Sequence, residues 1–288
     1  MSASRNSGLV LLALVWFCGA SFYGANLQSE ETRTMRRVEI VAHRGASHDA
    51  PENTMPAVLL GWEQGADLVE IDVYLSKDRE VVLLHDKTTK RTTGVDRPVA
   101  EQTWAELSTQ DAGAWKSPKY AGTKIPRLAE ALASIPQGKR MLVEVKCGPE
   151  IVPYLKEEFA KSGQPPEAIV VICFQAAVCQ AVREQIPEHR VYYLADIKKP
   201  KSGDKTPPTA EELVQTARRL GVHGVDLSAT TDIDRKFVET IRQAGLEMHV
   251  WTVDDPELAR AMCEAGVDSI TTNRPAFLRA ELAKPAAK

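Results

Sequence analysis

Eight short runs rich in Val, Ile and Leu recur along this chain, each separated from the next by an amphipathic stretch long enough to form a helix. They occupy residues 38–43, 68–74, 141–146, 168–174, 191–195, 224–228, 248–253 and 269–272. Runs that are apolar throughout belong to strands buried on both faces, and strands alternating with helices pack as a parallel sheet under a helical coat. Gly65, Gly221, Gly245 and Gly266 each stand where a helical stretch hands over to the next run. The left-handed residue that ends a helix is most easily glycine, so the four mark the same junction repeated. Eight βα units predict a TIM-type (β/α)8 barrel, and 288 residues at 43% hydrophobic content supply the length and the core for one.

A ninth run, residues 81–86, does not fit as a parallel strand. Only residues 76–80 separate it from its predecessor, and a parallel crossover takes a dozen or more. It is expected as a hairpin return or an extended loop on the barrel mouth. The barrel then spans residues 36–282, with a polar excursion at 87–125 carrying Trp104, Trp115 and Tyr120 as an inserted lid or wall; connections of that length are usually functional.

The formal charge of −3 is spread without long single-sign runs, which argues against nucleic acid as a partner. No stable protein partner is expected. At the N-terminus, Arg5 precedes an apolar stretch, residues 8–20, of signal-peptide length and short of the ~20 residues that span a bilayer. Residues 1–25 therefore read as an export signal with cleavage after Ala20 or Ala25, leaving the protein periplasmic or extracellular. Contact with a membrane is expected only if the segment stays uncleaved as an anchor. Cys147, Cys173, Cys179 and Cys263 lack the paired spacing of a zinc site and read as small buried residues.

Catalytic groups in such barrels sit at the C-terminal ends of strands. The first strand ends in His43-Arg44-Gly45; the second carries Glu70 and Asp72, the next parallel one Glu144 and Lys146. Residues two apart on a strand share a face, so each pair projects together into the barrel. Three carboxylates converging there repel one another and require positive charge. Ion pairs with Arg44 and Lys146 are one source; the other is a hard divalent cation, Mg²⁺ or Ca²⁺, which takes oxygen ligands. His43 and His85, at the ends of apolar runs, are the candidate acid and base, since imidazole titrates near neutrality. His48, His189, His223 and His249 lack that setting and read as structural or exposed.

AHRGAS followed by PENT at 42–54, VEIDVYLSKD at 69–78, VVLLHD at 81–86, RTTG at 91–94, IPRLAEAL at 125–132, VEVK at 143–146, VWTV at 250–253 and SITTNRP at 269–275 together resemble the glycerophosphodiester phosphodiesterase family. The motifs run in order over nearly the whole chain from 38 to 275. The resemblance implies a (β/α)8 barrel that hydrolyses a small glycerophosphodiester to glycerol 3-phosphate and an alcohol. It implies a divalent metal, Mg²⁺ or Ca²⁺, on Glu70, Asp72 and Glu144, with His43 and His85 as acid and base and Arg44 and Lys146 on the phosphate. Phe174 and Trp251, at strand ends, would wall the glycerol. Asn53 and Thr54 are expected to cap the first helix, with Pro56 in its first turn. Glu52 is expected to orient the metal shell or Arg44.

The chain departs from the family pattern at Arg79-Glu80, where a glycine turn is usual, at Gln175, where an acid is common, and at Asn273, where Asp is usual. These departures are expected to touch the pocket rim and substrate choice rather than the reaction. Rival readings are a phosphodiesterase acting on lyso- or intact phospholipids and a barrel that binds phosphate or metal without catalysis. A glycoside hydrolase fits less well, because its paired carboxylates sit on different strands.

The N-terminal reading is checked by intact-mass spectrometry of protein from its native host. The mature chain should begin between about Ser21 and Gln28; Met1 retained in a soluble cytoplasmic fraction would contradict export.

Overall fold

The structure, a computed structural model, describes residues 37–198 and 206–285. The proposed export signal and Cys18 lie outside these. Among the described residues no helix is long and apolar enough to cross a membrane.

Strand β1 (Glu39–Ala42) is followed by helix α1 (Met55–Glu63), then by β2 (Leu68–Leu75) and β3 (Val81–Leu83). Three short helices, α2 (Lys90–Thr93), α3 (Trp104–Leu107) and α4 (Leu128–Ala133), lead to β4 (Arg140–Val145) and α5 (Val152–Ser162). Regular alternation follows: β5 (Ile169–Cys173), α6 (Ala176–Gln185), β6 (Arg190–Ala195), α7 (Ala210–Leu220), β7 (Gly224–Ser228), α8 (Arg235–Gln243), β8 (Glu247–Trp251), α9 (Pro256–Ala265), β9 (Ser269–Thr272) and α10 (Pro275–Leu282). β1 pairs in parallel with both β2 and β9, which closes eight parallel strands into a barrel. β3 pairs antiparallel with β2, Val73 opposite Leu83, and is the hairpin return expected from its short connection.

Side-chain alternation divides the core in two. Val41, Leu68, Leu142, Val170, Ile172, Tyr192 and Leu194 fill the barrel interior, with Trp251 against them. Their neighbours in sequence, among them Ile40, Val69, Ile71, Val73, Met141, Val143 and Val171, face outward under the helices. Each fully buried aliphatic side chain contributes roughly 1.5–3 kcal/mol, and this outer layer offsets the cost of setting charged groups inside. Because Leu68 and Leu142 point inward, so do Glu70, Asp72 and Glu144 by the period of two. The β2–β4 register places Asp72 directly beside Glu144.

Residues 87–125 have an apolar cluster of their own, Val99, Leu107, Ala112 and Ile125 packing with Val82 and Leu84 of the hairpin. Lys116 Nζ donates to the Ser47 carbonyl and Tyr120 Oη to that of Asp49, both 2.8–2.9 Å, which fastens the excursion to the loop after β1. The four cysteines are free and partly or fully buried.

That loop turns sharply. Arg44 and Gly45 both have positive φ, 54° and 78°, and a Cβ on Gly45 would meet the Ala57 carbonyl carbon at 2.3 Å. Gly65 shares the left-handed conformation, φ 76°, yet nothing lies within 4 Å of its virtual Cβ. Gly65→Ala should therefore cost only the backbone term, roughly 1–2 kcal/mol. Gly45→Ala should cost several-fold more and lower Tm well below that of the Gly65 variant in paired thermal melts. Equal Tm values would show that the α1–loop contact is not as tight as described.

Candidate active site

The carboxylates of Glu70, Asp72 and Glu144 converge at the C-terminal end of the barrel, one oxygen of each lying within 4.8 Å of the others. Glu70 and Asp72 are 2% and 1% exposed, so water cannot solvate their charge. Protein donors satisfy them only in part. Glu70 Oε2 accepts the Arg44 backbone N–H at 2.8 Å, while its Oε1 has no hydrogen-bond partner. Asp72 Oδ2 accepts Asn53 Nδ2 at 2.8 Å and lies 3.2 Å from Arg44 Nε. Its Oδ1 makes no hydrogen bond and lies 3.5 Å from Lys146 Nζ, which sits closer to Glu144 Oε1, at 2.6 Å. Burial, then repulsion from Asp72 and Glu144, pushes Glu70 well above the usual carboxylate range; burial and Asp72 push Glu144 to about 7. Both sources of positive charge weighed from the sequence are therefore addressed by geometry. The ion pairs with Arg44 and Lys146 form, but they leave two buried oxygens orphaned. An all-oxygen cluster with unspent lone pairs fits a hard divalent cation held by Glu70, Asp72 and Glu144.

Above the carboxylates a pocket of about 230 Å³ is lined by His43, Arg44, Glu70, His85, Glu144, Lys146, Phe174 and Trp251. Eight of the nine residues singled out from the sequence thus face one cavity, and Asp72, the ninth, is buried beside Glu70 and Glu144. Phe174 and Trp251 meet edge-to-face, centroids 5.7 Å apart, and form the apolar wall. The other histidines lie elsewhere: His48 is exposed on Asp49, His189 packs on Phe159, the His223 ring accepts from the Val191 N–H, and His249 stacks on Tyr192 inside the barrel.

The two pocket histidines are held differently. His43 Nδ1 lies 2.7 Å from Asn273 Oδ1. The Asn273 amide nitrogen is committed to Asp254 Oδ2 at 2.6 Å, so its oxygen faces the ring and His43 donates from Nδ1. Nε2 is then the ring nitrogen without a proton. Burial and the adjacent Arg44 lower the His43 pKa to about 4. His85 Nδ1 instead lies 2.7 Å from the Asp86 carboxylate.

Five residues in and around this site were missed or misjudged from the sequence. Asn53 does not cap α1; it turns at φ 54°, donates to Asp72 Oδ2 and accepts the Asp72 N–H. Thr54 holds the N-cap position, but its hydroxyl donates to the Pro51 carbonyl. Asn273 touches His43, so that departure from the family pattern reaches the proposed acid/base pair and not merely the rim. Arg91, seen before only as part of RTTG, donates to both Glu52 oxygens at 2.8 Å and to Asp86 at 2.6 Å. Glu52 in turn takes Arg44 Nη1 at 2.8 Å, and so orients Arg44. Against burial, the Arg91 bonds and the Arg44 charge hold Glu52 at about 2. Asp226, buried on β7 with Oδ1 unpartnered and raised by burial to about 7, also lines the pocket. A polar residue at inward parity in the run GVDLS was the available signal for it.

Comparison with known proteins gives a consistent result. The model of the glycerophosphoryl diester phosphodiesterase family matches residues 43–277. A glycerophosphodiester phosphodiesterase from Caldanaerobacter subterraneus subsp. tengcongensis is 30% identical over 245 residues, covering 83% of this chain and 95% of that protein. Among solved structures, an Oleispira antarctica phosphodiesterase in complex with the product sn-glycerol-3-phosphate superposes with a TM-score of 0.76 at 27% identity, covering 85% of this chain and 97% of the other. A glycerophosphodiester phosphodiesterase from Agrobacterium tumefaciens gives 0.71 at 27% identity, covering 85% and 100%.

The cluster makes cation binding measurable without turnover. Mg²⁺ or Ca²⁺ at about 100 times its Kd should stabilise the protein by about 2.7 kcal/mol and raise Tm accordingly. Asp72→Asn should abolish that rise. A Tm indifferent to both ions in the unmodified protein would remove the cation from the site.

Proposed function

This chain belongs to the glycerophosphoryl diester phosphodiesterase family, and from that membership we propose that it hydrolyses a small glycerophosphodiester to glycerol 3-phosphate and an alcohol, using His43 as base and His85 as acid. The observation that carries the proposal is the meeting of two differently held histidines, Arg44 and Lys146 in one pocket above three buried carboxylates.

Each residue has work that its surroundings suit. Arg44 presents a planar guanidinium to the phosphate and Lys146 a compact ammonium. Glu52 and Asp72 fix Arg44 from behind, so little side-chain freedom is lost on binding. Phe174 and Trp251 offer apolar contact to the glycerol carbons. A divalent cation on Glu70, Asp72 and Glu144, when bound, supplies positive charge beside the non-bridging phosphate oxygens.

A hydroxyl attacking phosphorus loses its proton to His43 Nε2. The bond to a neutral amide places the ring's proton on Nδ1, and burial, then Arg44, opposes a second proton on Nε2. The leaving alcohol takes a proton from His85, whose ring is oriented by the carboxylate of Asp86. With the glycerol hydroxyl next to the phosphoester as that nucleophile, water then opens the cyclic phosphate, giving its proton to His85 while His43 returns the other to the departing glycerol oxygen. Export through the N-terminal segment is part of the same proposal, supported by Arg5 and the apolar residues 8–20.

Glycerophosphocholine turnover, with the phosphate product quantified, tests the reading. His43→Ala and His85→Ala should each lower kcat by roughly 10²-fold or more with a smaller change in KM, and the double variant should lose little more than the worse single one. Chelation should stop turnover, and Mg²⁺ or Ca²⁺ should restore it. Near-normal kcat in a folded histidine variant would take that residue out of the mechanism; preference for lysophosphatidylcholine would move the substrate class to lipids.

A further inference from the structure

Beside the pocket lies a second groove, of about 520 Å³, lined by Tyr74, Lys77, Arg79, Lys87, Lys146 and Glu150 among others. It sits between the β2–β3 turn and the end of β4. Lys146 lines both cavities, so the groove opens next to the phosphate position. Its charge is one-sided. Lys77, Arg79 and Lys87 are exposed and have no ion-pair partner among the described residues, against the single carboxylate of Glu150.

The nearby acids are occupied elsewhere. Asp78 Oδ1 accepts the Ser76 hydroxyl and the Trp104 N–H, Glu80 lies 3.6 Å from Arg127, and Glu150 accepts the Gly148 N–H. Arg79 holds φ 72°, a conformation where glycine would be unstrained, and the chain keeps a cation there. On a protein of formal charge −3, Lys77, Arg79, Lys87 and Lys146 line this groove against the one carboxylate of Glu150, which leaves its lining positive next to the pocket.

Resting on the hydrolase reading above, we propose that this groove binds a second phosphate carried by the leaving alcohol, and that the preferred substrates are glycerophosphodiesters with such an anionic alcohol. The glycerol lies on the opposite side, against Phe174 and Trp251, and the scissile phosphate lies between, at Arg44 and Lys146. The alcohol then extends past Lys146 toward Lys77, Arg79 and Lys87. Binding energy won there, away from the reacting atoms, raises kcat/KM for substrates that reach it. The second phosphate is either a terminal monoester or the next diester of a repeating chain; both present the same charge to the groove.

Three substrates separate these cases: glycerophosphoglycerol, its terminal phosphomonoester, and the chain-extended glycerophosphoglycerophosphoglycerol. At low salt kcat/KM should be about tenfold higher for at least one phosphate-bearing substrate than for glycerophosphoglycerol, given three exposed charge contacts. The better of the two identifies the monoester or the chain. The advantage should shrink toward parity near ~0.5 M NaCl.

The variant Lys77→Gln/Arg79→Asn/Lys87→Gln, with Asn chosen because it tolerates the left-handed backbone, should erase the advantage. Turnover of glycerophosphoglycerol should stay within about twofold, because none of the three contacts the scissile phosphate. Lys77→Gln/Lys87→Gln leaves the turn untouched and should lose at least about half of the advantage, which covers the case of a poorly folding triple variant. Equal kcat/KM for all three substrates, or an advantage surviving in the variants, would overturn the groove assignment while leaving the hydrolase reading intact. Failure to cleave any of the three would overturn the hydrolase reading and the groove with it.

Discussion

Two buried carboxylate oxygens, Glu70 Oε1 and Asp72 Oδ1, have no hydrogen-bond partner, and much of the barrel mouth is arranged around that deficit. Leaving a buried acceptor unmade costs about 1–3 kcal/mol, more when it is charged. Two such atoms side by side offer lone pairs that a further positive group would complete. The surrounding residues hold the acids apart from water and fixed in direction: the Arg44 N–H on Glu70, both ends of the Asn53 amide on Asp72, and Lys146 on Glu144. Arg44 and Asn53 adopt positive φ to make those contacts. Backbone strain of about 1–3 kcal/mol per residue is tolerated there because the two donors cannot reach the carboxylates otherwise.

From the same point a chain of ion pairs runs outward. Asp72 contacts Arg44, Arg44 contacts Glu52, Glu52 contacts Arg91, Arg91 contacts Asp86, and Asp86 contacts His85. The first member is on β2, the last two are on the hairpin return, and Arg91 comes from the excursion at 87–125. Neighbouring groups alternate in sign, so no charge in the series faces a like charge without a counter-ion between. The excursion therefore does more than cover the barrel. Through Arg91 it ties Arg44 and one of the pocket histidines to a common frame.

The barrel was legible because its signal is redundant: eight apolar runs, four helix-ending glycines and a connection too short for a parallel crossover all restrict the topology in the same direction. The inward face was legible too, since parity alone puts Glu70, Asp72, Glu144 and Lys146 together. What the sequence hid were contacts between residues far apart in the chain whose types have a ready local explanation. Asn53 beside Thr54 and Pro56 looks like a helix cap, and only the fold brings it against Asp72. Arg91 in a polar stretch looks solvated. Asn273 is 230 residues from His43, and nothing in either segment announces the other.

Asn273 bears on how a single pocket holds two imidazoles in different hydrogen-bonded settings. A carboxylate at position 273 would bond the Nδ1–H of His43 and draw a second proton onto the ring. The amide fixes the same tautomer without that charge. Asp254 lies one step further out, holding the Asn273 amide and backbone N–H and the Thr272 hydroxyl, so the orientation remains carboxylate-anchored while the charge is set back from the ring. Burial, and after it Arg44, adjacent in sequence, then oppose protonation of His43, and no anion bonds its Nδ1. Two histidines of one pocket thereby differ in the acceptor that each Nδ1 meets, an amide oxygen for His43 and a carboxylate oxygen for His85.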